Sequence, residues 1–365
     1  MRNKFRFVAA LAAVLFVLAW AKPSSAQFLL ESKDGKSSIK IGFLAQPQFE
    51  GISTADGTAT SYNIALRRFR IIFGGKLGGD KWTYFFETDD PNLGKGTGTA
   101  GTKDTGTMYL QDAFVTYNQS SSFRVDAGML LLAQSHNHIQ SAASLLPVDY
   151  GAYSFLESTP LQERVGRDYG VQVRGLPGGH FEYRLGLFEG LRGTNSTNAF
   201  RVAGRGTWFP FAAETGYFYT GTFQGSKQMV AIGASFDKQD NYGMYGLDFF
   251  AEQPFNKGEQ GLTFQVDWNR LNGGTFITTM PLQYTLLVEL GAHFGKGKLS
   301  PFFQYSKHTY DVVTPTYENQ YAYQAGLAIW FNGHNQNLKF SVGKQHTDLS
   351  PDRTQVLCQL QVFYY

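Results

Sequence analysis

Side-chain alternation constrains this chain more than any other feature. Between Gly166 and Gly190, Tyr169, Val171 and Val173 fall on one face, against Asp168, Gln172 and Arg174 on the other. A Leu176-Pro177-Gly178-Gly179 turn reverses the chain, and Phe181, Tyr183, Leu185 and Leu187 then oppose Glu182 and Arg184. Strand side chains switch sides every second residue, so the stretch predicts a two-faced β-hairpin closed by a Gly-rich turn. One face is apolar and aromatic; the other carries both signs of charge. The pattern recurs at Ile41/Phe43/Ala45, Phe69/Ile71/Phe73, Val230/Ile232/Phe236, Leu262/Phe264/Val266/Trp268, Leu286/Val288/Leu290 and Tyr323/Leu327/Ile329.

The first residues have the make-up of an export signal. Arg2, Lys4 and Arg6 precede an apolar run from Phe7 to Trp20, and Ser24 and Ala26 suit cleavage before Gln27. Residues 1–26 are therefore expected to be a cleaved signal peptide, leaving 27–365 as one domain. Its loss removes Arg2, Lys4, Arg6 and Lys22, leaving 28 basic residues of the 32 against 29 acidic ones. That balance offers no footprint for nucleic acid. Beyond the signal no run of about 18 apolar residues exists for a membrane helix. Yet 32 Phe, 20 Tyr and 41 Gly accompany a mean hydropathy of −0.25. An apolar surface concealed in a hydrophilic average suits a transmembrane β-barrel, where alternate residues meet lipid and the rest meet a polar lumen.

Connection lengths support that reading. In the first half, long links follow the first, third and fifth strands, and short ones the second, fourth and sixth. Short turns at one end and long loops at the other are the rhythm of an up-and-down barrel. The links of the second half read as less varied. Arg67 breaks the parity of its strand, which predicts a bulge or a membrane-boundary position there. The final strand ends Val362-Phe363-Tyr364-Tyr365 and is expected to close the ring onto the first. Roughly seventeen strands can be counted, but bacterial single-chain barrels are even-numbered, so sixteen is the expectation. The fold class is accordingly all-β: a transmembrane antiparallel up-and-down barrel in the bacterial outer membrane, in contact with its lipid.

Two stretches resemble the phosphate-selective porin O and P family. One is RRFRIIFGGKLGGDKWTYFFETD at Arg67–Asp89; the other is GRDYGVQ at Gly166–Gln172, whose hairpin partner ends Phe188-Glu189-Gly190. The resemblance runs from about Ile39 to Tyr365. It implies a sixteen-stranded porin with one loop folded into the pore, assembled as a homotrimer, that passes small hydrophilic solutes or inorganic anions such as phosphate. The interruption of alternation from Leu132 to Arg167 is the candidate constriction loop.

With aromatic faces toward lipid, the lumen receives Arg68, Arg70, Lys76, Arg124, Arg174 and Arg184, joined by Arg201 and Arg205. Ladders of guanidinium forks suit an anion pore. The same face carries Glu87, Asp89, Asp112, Asp126, Asp168 and Glu182, which could pair with the arginines and reduce them to wall braces. Both readings stay open. The loop adds Arg164 and Arg167, no Lys, and the acids Asp149, Glu157 and Glu163, so a general pore and an anion-preferring one remain alternatives. His136 and His138 are loop histidines without further metal ligands nearby, and no metal or other cofactor is expected. No G-x-S-x-G, P-loop or H-E-x-x-H motif suggests an enzyme. A different class of function is a sleeve insulating a separate haem protein; the chain has one Cys, Cys358, and no haem attachment motif.

Overall fold

The computed structural model describes residues 28–57 and 60–365; the expected signal segment 1–26 lies outside them. Seventeen strands follow in order: β1 (Phe28–Glu31), β2 (Ser38–Thr54), β3 (Thr60–Lys76), β4 (Trp82–Asp89), β5 (Tyr109–Ser120), β6 (Phe123–Leu131), β7 (Arg167–Gly175), β8 (Phe181–Phe188), β9 (Arg201–Trp208), β10 (Met229–Gln239), β11 (Tyr242–Phe255), β12 (Gln260–Asn272), β13 (Gln283–Phe294), β14 (Leu299–Tyr310), β15 (Gln320–Asn332), β16 (Gln336–Thr347) and β17 (Arg353–Tyr364). Each of β2 to β17 pairs antiparallel with its sequence neighbour. The ring closes where β17 meets β2, with Val362 opposite Ala45 and Gln355 opposite Ile52. The fold is thus a closed sixteen-strand barrel with β1 outside the ring. β1 pairs with β2 from Ser38 to Ile41, just where β17 has run out.

Exposure along the strands is inverted relative to a water-soluble protein. In the β7–β8 hairpin, Tyr169, Val171, Leu185 and Leu187 are each about half exposed, while Gln172, Arg174, Glu182 and Arg184 are buried. Outward apolar and inward polar side chains are what a lipid solvent outside and a polar interior inside require. The expected bulge lies between Ala45 and Pro47, whose β3 partners step from Phe69 to Leu66, so Arg67 and Arg68 are the unpaired residues.

Connections differ at the two ends. One end carries Leu77–Lys81 and the residues 121–122, 176–180, 256–259, 295–298 and 333–335; by the rule for such barrels it faces the periplasm. The other carries 90–108 and 132–166. Two links break this pattern: 240–241, a two-residue turn between β10 and β11 at the long-loop end, and 209–228, a 20-residue link between β9 and β10 at the short-turn end. The even second-half rhythm expected from the sequence fails there, because this segment turns into the barrel.

Candidate functional site: a lumen half filled from both ends

Two segments occupy the lumen. The 132–166 loop crosses from β6 to the opposite wall and bonds to it through its own backbone and amides. Asn137 N donates to Asp267 at 2.8 Å, and Gln140 Nε2 to Gln265 at 2.8 Å. Lys339, buried on β16, donates to the carbonyls of Leu145 (2.5 Å) and Pro147 (3.0 Å). Gly166 returns the loop to β7 with φ +75°, and a Cβ there would lie 2.2 Å from His138 Cε1, so the turn tolerates no side chain. The 209–228 segment enters from the other end and meets the loop edge to edge. Tyr219 N donates to Ile139 O, and Ser141 N to Tyr219 O, both at 2.8 Å. Thr222 Oγ1 and the backbone N–H groups of Phe223 and Gly225 converge on Glu252 of β11. Beside the junction, Leu131, Ile139, Phe209, Tyr219, Met229 and Phe250 form an apolar core inside the barrel.

Most of the arginines singled out in the sequence face inward and meet carboxylates. Arg70 bridges Glu87 (2.6 Å) and Asp89 (2.9 Å); Arg174 meets Asp126 (2.7 Å) and Arg184 meets Glu182 (2.9 Å). Arg201 joins Asp237 at 2.5 Å and also Glu163, while Arg205 pairs with Asp248. Of the two arginines expected in the loop, Arg164 lies over the Tyr109 ring at 4.1 Å, whereas Arg167 opens strand β7 opposite Leu131 and pairs with Asp112 at 3.2 Å. Arg124 has no carboxylate partner among the described residues and donates to Thr215 O at 3.4 Å. Lys76 sits at the short-turn rim, half exposed and paired with Asp80 at 2.5 Å.

Arg68 differs from these. It shares Asp149 with Arg67, at 2.6 and 2.7 Å, which leaves a net positive triad. Burial alone would raise the Asp149 carboxyl, but Arg67 and Arg68 hold it well below the usual carboxylate range.

The two loop histidines do not converge. His136 stacks on Phe250 (4.2 Å between ring centres) and also meets Tyr219. His138 lies 3.0 Å from Glu157. Burial pushes His138 down to about 3 and Glu157 up to about 8, so this pair is uncharged at neutral pH. No group of three or more His, Cys, Asp or Glu side chains poised for a metal ion occurs among the described residues.

Open space remains along β2–β3 and β14–β17. On the long-loop side a 610 Å³ vestibule is lined by Arg67, Arg68, Lys95, Asp149, Tyr153 and several glutamines. Towards the short-turn end a 100 Å³ cavity has Arg70 and Arg167 on one side and a collar of Leu44, Ile72, Phe85, Phe218, Phe363 and Tyr365. Tyr150 lines both. The sequence reading missed the 209–228 segment, Lys339 and Glu252. Its available signal was the absence of alternation across Phe209–Gln228.

A closed barrel with a polar, arginine-bearing lumen is the setting in which likeness to known proteins becomes informative. Residues 39–264 match the family described as phosphate-selective porin O and P. The chain belongs to that family. Among solved structures, this porin is similar to OmpF of Salmonella typhi, solved in complex with daunomycin: TM-score 0.60, 14% identity, 91% of this chain and 100% of that one. It is also similar to an anion-selective porin from Comamonas acidovorans, with TM-score 0.57, 12% identity and coverage of 90% and 100%. OmpT of Vibrio cholerae gives 0.54, 9%, 92% and 99%. At such identities these likenesses concern the fold. No curated protein sequence matches the chain. Family and fold together are those of a channel, and the protein is an outer-membrane porin for small solutes. The alternative of a sleeve around a separate haem carrier finds no support in them.

Proposed function

We propose that this porin passes small hydrophilic solutes off-axis, along the β2–β3 and β14–β17 wall, with a preference for anions. The observation that carries this reading is the Arg67–Asp149–Arg68 triad, one positive charge in excess on the wall of the remaining open space. Lumen charges act strongly where the passage is narrow and poor in water. On this reading Arg68 and Arg70 line the route, with Arg167 beside it. Arg174, Arg184, Arg201 and Arg205 brace the filled half, while Arg124, Arg164, Lys76 and the two histidines stand off the path. The 132–167 stretch is then the constriction loop, and Tyr150 marks the narrow point between the two cavities. The named anion selectivity of the Comamonas porin is in keeping with the proposal.

The proposal extends to a cleaved 1–26 signal peptide and to a homotrimer, as the family implies. Reversal potentials across planar bilayers in asymmetric KCl test the anion preference. A chloride-directed potential that moves toward zero in Arg68→Gln supports it; a cation-directed potential in the unaltered protein overturns it.

A further inference from the structure

The vestibule is furnished for a particular chemistry. Its 610 Å³ lies within the range of small-molecule sites, roughly 300–1,000 Å³. Most of its cations are committed: Arg67 and Arg68 share Asp149, Lys95 is paired with Glu50 at 2.7 Å and Lys344 with Asp352 at 2.5 Å, while the exposed Arg353 at the rim makes no ion pair among the described residues. What remains is a modest positive excess beside two fixed carboxylates. That suits one negative charge on a ligand and disfavours a phosphate dianion, which needs several uncommitted donors and no acceptor nearby.

The rest of the lining is amide and phenol. Gln48, Gln324, Gln345 and Gln355 each present a donor and an acceptor, as hydroxyl groups also do. Tyr153 is 8% exposed, lines the vestibule, and its hydroxyl makes no hydrogen bond among the described residues, although the Gln345 amide lies beside it. A phenol set against a lining amide is a polar pair that a ligand hydroxyl can join by a small side-chain rotation. Tyr150 and Phe155, edge to face at 5.1 Å, add apolar ring surface on the loop side.

The geometry points to a solute-binding subsite in the vestibule for polyhydroxylated monocarboxylates, the class of sugar acids, in preference to inorganic phosphate. The carboxylate sits against Arg67 and Arg68 and the hydroxyls against the glutamines and Tyr153. This rests on the porin reading above.

The test is ion current through the full-length protein in planar bilayers at 0.1 M KCl, with glucuronate, glucose or inorganic phosphate added at the long-loop side. Glucuronate is expected to block at a concentration about tenfold lower than glucose or phosphate. Tyr153→Phe, which removes only the hydroxyl, is expected to weaken glucuronate block about fivefold, as loss of one hydrogen bond implies. Asp149→Asn frees both guanidinia and is expected to strengthen phosphate block relative to glucuronate. Phosphate blocking the unaltered porin as well as glucuronate does, or Tyr153→Phe leaving glucuronate block unchanged, overturns the subsite while leaving the porin intact. A reconstituted protein that carries no KCl current defeats the porin reading instead, and the subsite with it.

Discussion

The two halves of the lumen wall are built from the same alternation and end in opposite states. On β9–β13 the inward side chains are sealed: Arg201, Asp237, Gln265 and His293 have no exposure, and loop backbone or side chains cover them. On β2–β3 and β14–β17 comparable inward glutamines and arginines border open space. Strand pattern thus fixes which way a side chain points. Whether it meets solute or protein depends on segments that have no period at all.

That contrast sets the size of the expected effects. Arg201→Ala strips Asp237 and Glu163 of their shared cation inside the filled half. Removing one partner of a buried pair costs about 3–5 kcal/mol, so heat-modifiability should be lost at a much lower temperature. Arg68→Ala, on the open side, leaves Asp149 its second partner, Arg67, but frees the buried Gln46 amide, and should cost less, about 1–3 kcal/mol. Equal losses at the two positions would erase the distinction between the halves.

Next in size is arginine substitution by face. Val288→Arg or Leu327→Arg on the lipid face should destabilise by about 2–4 kcal/mol at the bilayer midplane, read as a fall in refolding yield. Gln324→Arg points into the vestibule and should be tolerated. Thr285→Arg also points inward, but Asn269 donates to Thr285 at 3.1 Å and the inserted loop lies beside it, so overpacking of about 1–3 kcal/mol is expected.

A smaller effect concerns pH and the loop that makes the difference between the halves. Glu157, raised from 4.5 to about 8 by burial, contributes stability that is complete below pH 4.5 and lost as pH rises to about 8. His138, lowered from 6.5 to about 3, contributes stability present above pH 6.5 and lost as pH falls to about 3. The two slopes oppose each other between pH 4.5 and 6.5 and leave a net decline from pH 6.5 to 8. Thermal midpoints of Glu157→Gln should lack much of that decline; an unchanged profile would show that Glu157 is ionised in the folded loop.

The smallest expected change is at the vestibule rim. Lys95→Gln removes a half-exposed cation paired with Glu50, and its field is screened within about 10 Å at 0.1 M salt. Anion preference should fall by less than about twofold, and visibly only at low ionic strength.

Much of this was legible in the sequence. The parity of Tyr169, Val171 and Leu185 set the lipid face, and the even ring of sixteen strands is as expected, whereas the short strand Phe28–Glu31 outside the ring was not read from the sequence. Family membership was readable from Arg67–Asp89 and Gly166–Gln172. The 132–167 interruption was visible by length. What escaped was the partnership inside the lumen. Arg201 meeting Glu163, or Lys339 holding Leu145 and Pro147, joins residues 38 to 194 positions apart through a loop whose path no local pattern encodes. The 209–228 segment escaped because a turn is normally short at that end of a barrel, and the packing of Tyr217 and Tyr219 against wall residues and the loop overrides that rule.

Thiol accessibility of the two walls tests the half-filled lumen most directly. In a Cys358→Ser background, Gln48→Cys places a thiol on the vestibule wall, and Gln265→Cys places one beneath Gln140 of the inserted loop. A membrane-impermeant, negatively charged thiol reagent applied to reconstituted channels should react with Gln48→Cys, lowering conductance and anion preference. Gln265→Cys should stay unmodified, with its current unchanged. Rapid modification at Gln265→Cys with a comparable fall in conductance would mean that solute passes through the half of the lumen described here as filled.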